Sequence, residues 1–116
     1  MMRRICGAKK GENMTKHIHD ESELDAAIAS VGPVLVDFWA TWCGPCMMMG
    51  ERIERELEPA MPDLTVVKVD VDEAPALAAK FGIMSIPALF CYRGGAKKAE
   101  FVGVTDVKEL EGALRG

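Results

Sequence analysis

The stretch Val34-Leu35-Val36-Asp37-Phe38-Trp39-Ala40-Thr41-Trp42-Cys43-Gly44-Pro45-Cys46 decides how the rest of the chain is read. Residues 34–40 form a near-continuous apolar run, the pattern of a strand buried on both faces. After Trp42 the pattern turns helical: Met49, Ile53, Leu57 and Ala60 fall on one face, with Glu51, Arg52, Glu54 and Arg55 on the rest. Pro59 and Pro62 close that helix. Two cysteines three residues apart at a helix start sit one turn apart on the same side. Their Cα atoms are then about 5–6 Å apart, a span that a disulfide bridges without moving the backbone.

Upstream, Leu24, Ala27, Ile28 and Val31 recur at helical spacing behind Asp20 and Ser22, either of which suits a helix cap, and Gly32-Pro33 ends the pattern. Downstream, Leu64 to Val71 reads as a second buried strand, and Pro75 suits the first turn of a short helix ending near Phe81-Gly82. Ala88 to Tyr92 is a third strong strand, Arg93-Gly94-Gly95 a hairpin turn, and Ala99 to Val102 its partner. Thr105 or Asp106 caps a last helix that turns Val107, Leu110 and Leu114 inward. The order helix, strand, helix, strand, helix, hairpin, helix predicts an α/β fold. Alternation gives parallel pairing and the hairpin adds antiparallel strands, so the central β-sheet is mixed and flanked by helices on both faces.

A chain of 116 residues builds one core and is too short for two ordinary domains. Hydrophobic residues at 49% and charged residues at 28% describe a soluble globular protein. The net charge of −4 argues against nucleic acid as a partner, because binding phosphates needs a basic face. No apolar run approaches about 18 residues, so no membrane span is expected. The four cysteines are one close pair plus the distant Cys6 and Cys91, which suggests a mostly reduced, cytoplasmic protein with one special site. Residues 1–13 carry Arg3, Arg4, Lys9 and Lys10 without the apolar run of about seven that a secretory signal needs. They read as a flexible N-terminal extension, either a functional arm or a leader ahead of an alternative start at Met14, and residues 14–116 as the domain.

The Cys43-Gly44-Pro45-Cys46 segment carries the chemistry. Cys43 falls at the helix N-terminus, where unpaired N–H groups and the helix dipole favour an anion. That stabilises the thiolate, which is the attacking species, so Cys43 is the expected nucleophile. Pro45 loses no helical hydrogen bond in the first turn. Cys46, one turn further, is expected to be more buried, and its role is to resolve a mixed disulfide by attacking Cys43. Half of a zinc site is the competing reading, but zinc asks for four protein ligands. Cys6, His17 and His19 lie toward the tail and Cys91 is mid-strand, so no metal is expected. Two further charges stand out in apolar strands, Asp37 and Lys68. An unpaired carboxylate there is costly, so either Asp37 is protonated or the two compensate each other, as a structural ion pair or as part of the chemistry.

The run Val36 to Cys46, followed by Ser85-Ile86-Pro87-Ala88 and Val102-Gly103, closely resembles the thioredoxin family from about His17 to Leu114. The resemblance implies the thioredoxin fold and a protein-disulfide reductase cycling a Cys43–Cys46 dithiol and disulfide, a part in electron transport and cell redox homeostasis. It implies Asp37 as proton relay for Cys46, with a raised pKa, and Lys68 as the modulator of Asp37. It also implies a cis Ile86-Pro87 bond opposite the cysteines, with Ile86 offering its backbone to an extended substrate, where the residues alone allow an ordinary strand-entry proline. Trp42 and Gly103 then frame the same docking surface, although packing would also explain Trp42, and Trp39 supports the site from beneath. Electrons come, by resemblance, from NADPH through a flavin-containing thioredoxin reductase. The chain is expected to be a monomer with no cofactor beyond its redox disulfide, and its substrates are proteins with disulfides.

Two positions depart from the family pattern. Met47 stands where many thioredoxins place lysine, which makes the docking face more apolar and leaves partner choice open. Glu51 stands where the family usually has a kinking proline, so a straighter helix is expected. The alternative reading is a thioredoxin-fold protein dedicated to one partner pathway, or one that serves as a binding subunit.

Overall fold

The structure, a computed structural model, describes residues 14–116; the expected extension at residues 1–13, with Cys6, lies outside the described residues. In chain order it runs β1 (Met14–His17), α1 (Glu21–Ile28), β2 (Pro33–Trp39) and α2 (Gly44–Arg52). A π-helical turn (Ile53–Leu57) and a short α3 (Glu58–Ala60) continue α2, and β3 (Thr65–Asp70), α4 (Pro75–Lys80), β4 (Ala88–Arg93), β5 (Ala96–Val102) and α5 (Val107–Arg115) follow.

Five strands form one sheet in the order β1-β3-β2-β4-β5. β1, β3 and β2 pair in parallel, while β2 with β4 and β4 with β5 pair antiparallel. The mixed sheet with helices on both faces is therefore as expected. The leading strand β1 was not anticipated. It is four residues long and reads Met-Thr-Lys-His, with no apolar alternation, and it forms by adding to the edge of β3.

β2 explains why the sheet is central. Val34, Val36 and Phe38 face one core, where they meet Leu24 and Ala27 of α1 and Leu77 of α4. Leu35 faces the other core, against Met49, Ile53, Leu57, Leu110 and Leu114. The alternate position on that second face, one step nearer the cysteines, is Asp37.

Local signals account for the helix ends. Asp20 caps α1, its carboxylate accepting from the Glu23 N–H at 2.9 Å, and Asp106 caps α5 by accepting from the Lys108 N–H at 2.9 Å. α1 stops at Ile28, three residues earlier than the period of Leu24, Ala27, Ile28 and Val31 suggests; Val31 is fully exposed beside Gly32, whose φ is +96°. The long helix after the cysteines is not simply straighter in the absence of the kinking proline. Its inward residues are Met49, Ile53, Leu57 and Met61, spaced by four, with Ala60 exposed. An α-helix turns about 100° per residue, so a spacing of four drifts by about 40° at each step. The wider i→i+5 turn over Ile53–Leu57 takes up that drift and returns Met61 to the core.

Candidate functional site

The site grows out of the C-terminal end of β2. Trp39 ends the strand, Ala40 to Trp42 turn the chain, and Cys43 becomes the N-cap of α2. Its backbone is extended there (φ −92°, ψ 105°) and its sulfur accepts the Cys46 N–H at 3.2 Å. An N-cap accepts a free N–H of the first turn with an oxygen in most helices, and here sulfur takes that place. Gly44 and Pro45 open the helix, so Pro45 sits where a missing N–H removes no bond. The two sulfurs are joined as a disulfide with Cα atoms 5.2 Å apart, inside the span read from the spacing. Both cysteines are covered, Cys43 at 6% exposure and Cys46 at 1%, and they pack with Ala40 against half-buried Trp39 and Ile86.

An apolar surface lies beside the pair, where the sequence places Trp42, Ile86, Pro87 and Gly103. The Ile86-Pro87 bond is cis. Pro87 is buried and its carbonyl accepts the Gly103 N–H at 2.8 Å, which brings the two separate motifs into one wall. Gly103 has a φ of +92°, a conformation that side-chain-bearing residues rarely adopt, and the space beside it is open. An apolar groove of about 170 Å³ runs between Trp42, Val71, Ile83, Met84 and Ile86. Trp42 is exposed, and its indole N–H donates to Asp72 at 2.6 Å. Asp72 was not foreseen from the sequence, because the bond spans 30 residues. Its loop is shaped by Asp70, whose carboxylate accepts the Asp72 N–H at 2.8 Å and the Glu73 N–H at 3.3 Å. The Asp70-Val71-Asp72 run after a strand was the available signal.

Asp37 and Lys68 meet at a recess lined by Gly50 of α2, one turn along that helix from Cys46. Asp37 is 1% exposed, and neither of its carboxylate oxygens has a hydrogen-bond partner among the described residues. Burial pushes its carboxyl up to about 6, with the positive charge of Lys68 pulling the other way. Asp37 stands directly across from Lys68 in the β2–β3 register, and His17 flanks Lys68 on the far side. The Lys68 ammonium lies 4.5 Å from the centre of the Trp39 ring. A recess of about 40 Å³ opens between Asp37, Lys68, Thr15, Gly50, Glu54 and Glu58, room for a water molecule between the polar groups.

Met47, which departs from the family pattern, is exposed together with Met48, while Met49 is buried. Cys91 is fully buried in β4, with its thiol pushed up to about 12 by burial. A separate surface groove at His19, Glu73 and Lys80 contains no residue of the site, and its charges pair internally, His19 with Glu73 at 3.3 Å and Lys80 with Glu21. Among the described residues, no group of three or more His, Cys, Asp or Glu side chains is arranged to hold a metal ion, and no helix is long and apolar enough to cross a membrane.

Comparison with known proteins agrees with this geometry. The sequence model of the thioredoxin family matches residues 15–115. A thioredoxin of Alicyclobacillus acidocaldarius is 43% identical over 94 residues, covering 81% of this chain and 90% of that one. A bifunctional thioredoxin reductase/thioredoxin of Mycobacterium leprae is 40% identical over 94 residues, which are 81% of this chain and 20% of that one. The solved structure of a mutant thioredoxin from Halobacterium salinarum superposes with a TM-score of 0.77 at 34% identity, covering 95% of this chain and 94% of that one.

Proposed function

The chain belongs to the thioredoxin family and is a thiol–disulfide oxidoreductase of the protein-disulfide reductase type, and within that activity we propose the following roles for its residues. Cys43 is the nucleophile. The observation that carries this is its sulfur at the N-cap of α2, taking the Cys46 N–H at 3.2 Å, a donor that supports a thiolate as it supports the sulfur here. In the reduced protein the Cys43 thiolate attacks a substrate disulfide. A Cys43–substrate bond forms, the substrate S–S bond breaks, and the departing sulfur leaves as a thiolate that takes up a proton. Cys46 then gives its proton to Asp37 and attacks the Cys43 sulfur. The Cys43–Cys46 bond forms, the substrate's second sulfur is released as a thiolate, and two electrons have passed to the substrate.

Asp37 suits the role of base because a carboxyl raised to about 6 lies near working pH, where a general base is most effective. The recess beside it gives water room to carry the proton, and Lys68 sets how readily Asp37 gives it up. Trp42, Ile86, Pro87 and Gly103 receive an extended segment of the substrate, Ile86 through its backbone and Trp42 through the groove it shares with Met84.

The electron donor is an NADPH-dependent, flavin-containing thioredoxin reductase; the fused reductase and thioredoxin of Mycobacterium leprae supports that partnership. The protein works as a monomer in the cytoplasm, with no cofactor beyond its own disulfide. A reducing compartment suits the thiol kept in the core at Cys91. Insulin reduction tests the reading, driven first by dithiothreitol and then by NADPH with thioredoxin reductase. Turnover in both assays, lost in Cys46→Ser, supports it; turnover with dithiothreitol alone removes the reductase from the scheme, and no turnover in either refutes the assigned roles.

A further inference from the structure

The recess behind Asp37 contains more charge than a two-residue relay uses. Among the described residues, three carboxylates, Asp37, Glu54 and Glu58, line it together with one ammonium, that of Lys68. The wide turn at Ile53–Leu57 contributes to this. Gly50, Glu54 and Glu58 are spaced by four, like the buried row Met49, Ile53 and Leu57 beside them, and the same i→i+5 turn keeps all three on the recess. Gly50 matters because it has no side chain: a Cβ there would stand 3.3 Å from the Lys68 ammonium. The ammonium therefore lies close along the helix, between Gly50 and the Trp39 ring, where it faces both Asp37 and Glu58 across the recess.

We propose that Glu58 is a positioning residue for proton transfer to Asp37: its carboxylate shares the ammonium of the recess, so that Lys68 cannot serve Asp37 alone. This rests on the reading of Asp37 as the base for Cys46. The groups that face Asp37 are Lys68 from β3 and Glu54 and Glu58 from the helical segment; Leu89 of β4 on its other side is uncharged, and His17 lies beyond Lys68 on β1. The Lys68 charge acts on both Asp37 and Glu58. Glu58 is itself raised above the usual carboxylate range by burial and then by Glu54, against a hydrogen bond from Thr15 and the Lys68 charge. While Glu58 is an anion it opposes a second negative charge in the recess, and Asp37 keeps its proton more tightly. With Glu58 neutral, Lys68 is left to Asp37, and Asp37 becomes the weaker base.

The test follows the side-chain carboxyl of Asp37 by NMR titration of the oxidised protein, where the thiols of the site do not titrate, together with the pH profile of insulin reduction. Glu58→Gln is expected to lower the Asp37 midpoint by about half a pH unit or more and to move the acid limb of the profile the same way. Glu56→Gln, an exposed neighbour outside the recess, is expected to move neither. In a Lys68→Met background the Glu58→Gln shift is expected to fall by more than half, because the shared charge is gone. An Asp37 midpoint unmoved by Glu58→Gln, with Asp37→Asn still slowing reduction, overturns this inference and leaves the relay standing. An Asp37→Asn protein with the wild-type rate and profile overturns the relay, and the inference with it.

Discussion

Replacing Asp37 by asparagine removes a charge from the core and keeps its shape. The wild-type carboxyl ionises at 3.8 in an unfolded chain and at about 6 in the fold. Well below pH 3.8 both states hold the proton, and no charge is buried. Between pH 3.8 and 6 the folded state binds more protons than the unfolded one, so stability falls as pH rises. Above about 6 both have lost the proton and the fold bears the net cost of a buried charge that Lys68 only partly offsets. A difference of about two pKa units corresponds to about 3 kcal/mol. Asp37→Asn is therefore expected to match wild type near pH 4 and to exceed it by about 3 kcal/mol at pH 8, while reducing disulfides more slowly at neutral pH. Urea unfolding of the oxidised proteins across that range measures it; with a slope of about 1.5 kcal/mol/M, the midpoint at pH 8 rises by about 2 M. Parallel stability curves, separated equally at pH 4 and pH 8, would refute the reasoning, because they would mean that the Asp37 charge is already compensated in the fold.

Asp72→Ala frees the indole of Trp42, and KM for a protein disulfide is expected to rise a few-fold while the rate with a small-molecule disulfide stays the same; steady-state kinetics on the two substrates separates them. Cys91, buried with its thiol pushed up to about 12, is expected to resist a thiol reagent in the folded protein and to react on unfolding, measured in a variant with the other cysteines replaced by serine. Leu57→Ala empties a fully buried position in the wide helical turn, and chemical denaturation is expected to show a loss of about 2–5 kcal/mol.

What was readable in the sequence follows from how local the signal is. Residues 34–40 announce a buried strand because nearly every side chain is apolar, and Cys43 and Cys46 announce a helix start because their spacing, Pro45 and the following periodicity agree. β1 was not readable: it is polar, and its strand geometry comes from pairing with β3, far along the chain. Val31 followed the period of α1, but Gly32 and Pro33 stop the helix before it. The π turn was present in the spacing of Met49, Ile53, Leu57 and Met61; choosing Ala60 as the inward residue assumed an α-helix throughout. The meeting of Asp37 with Lys68 was legible because a lone charge in an apolar strand is anomalous. Asp72 and Glu58 were not, since each is an ordinary surface-type residue until the fold brings it to Trp42 or to the recess.

The central claim is the division of labour between the two cysteines. Reduced Cys46→Ser protein, mixed with a disulfide-containing protein substrate and digested for mass spectrometry, tests it most directly. The expected result is a stable mixed disulfide through Cys43, because the attack goes forward and nothing resolves it, while reduced Cys43→Ser protein forms none. An adduct through Cys46 in the Cys43→Ser protein, or no adduct at Cys43 in the Cys46→Ser protein, would contradict the assignment.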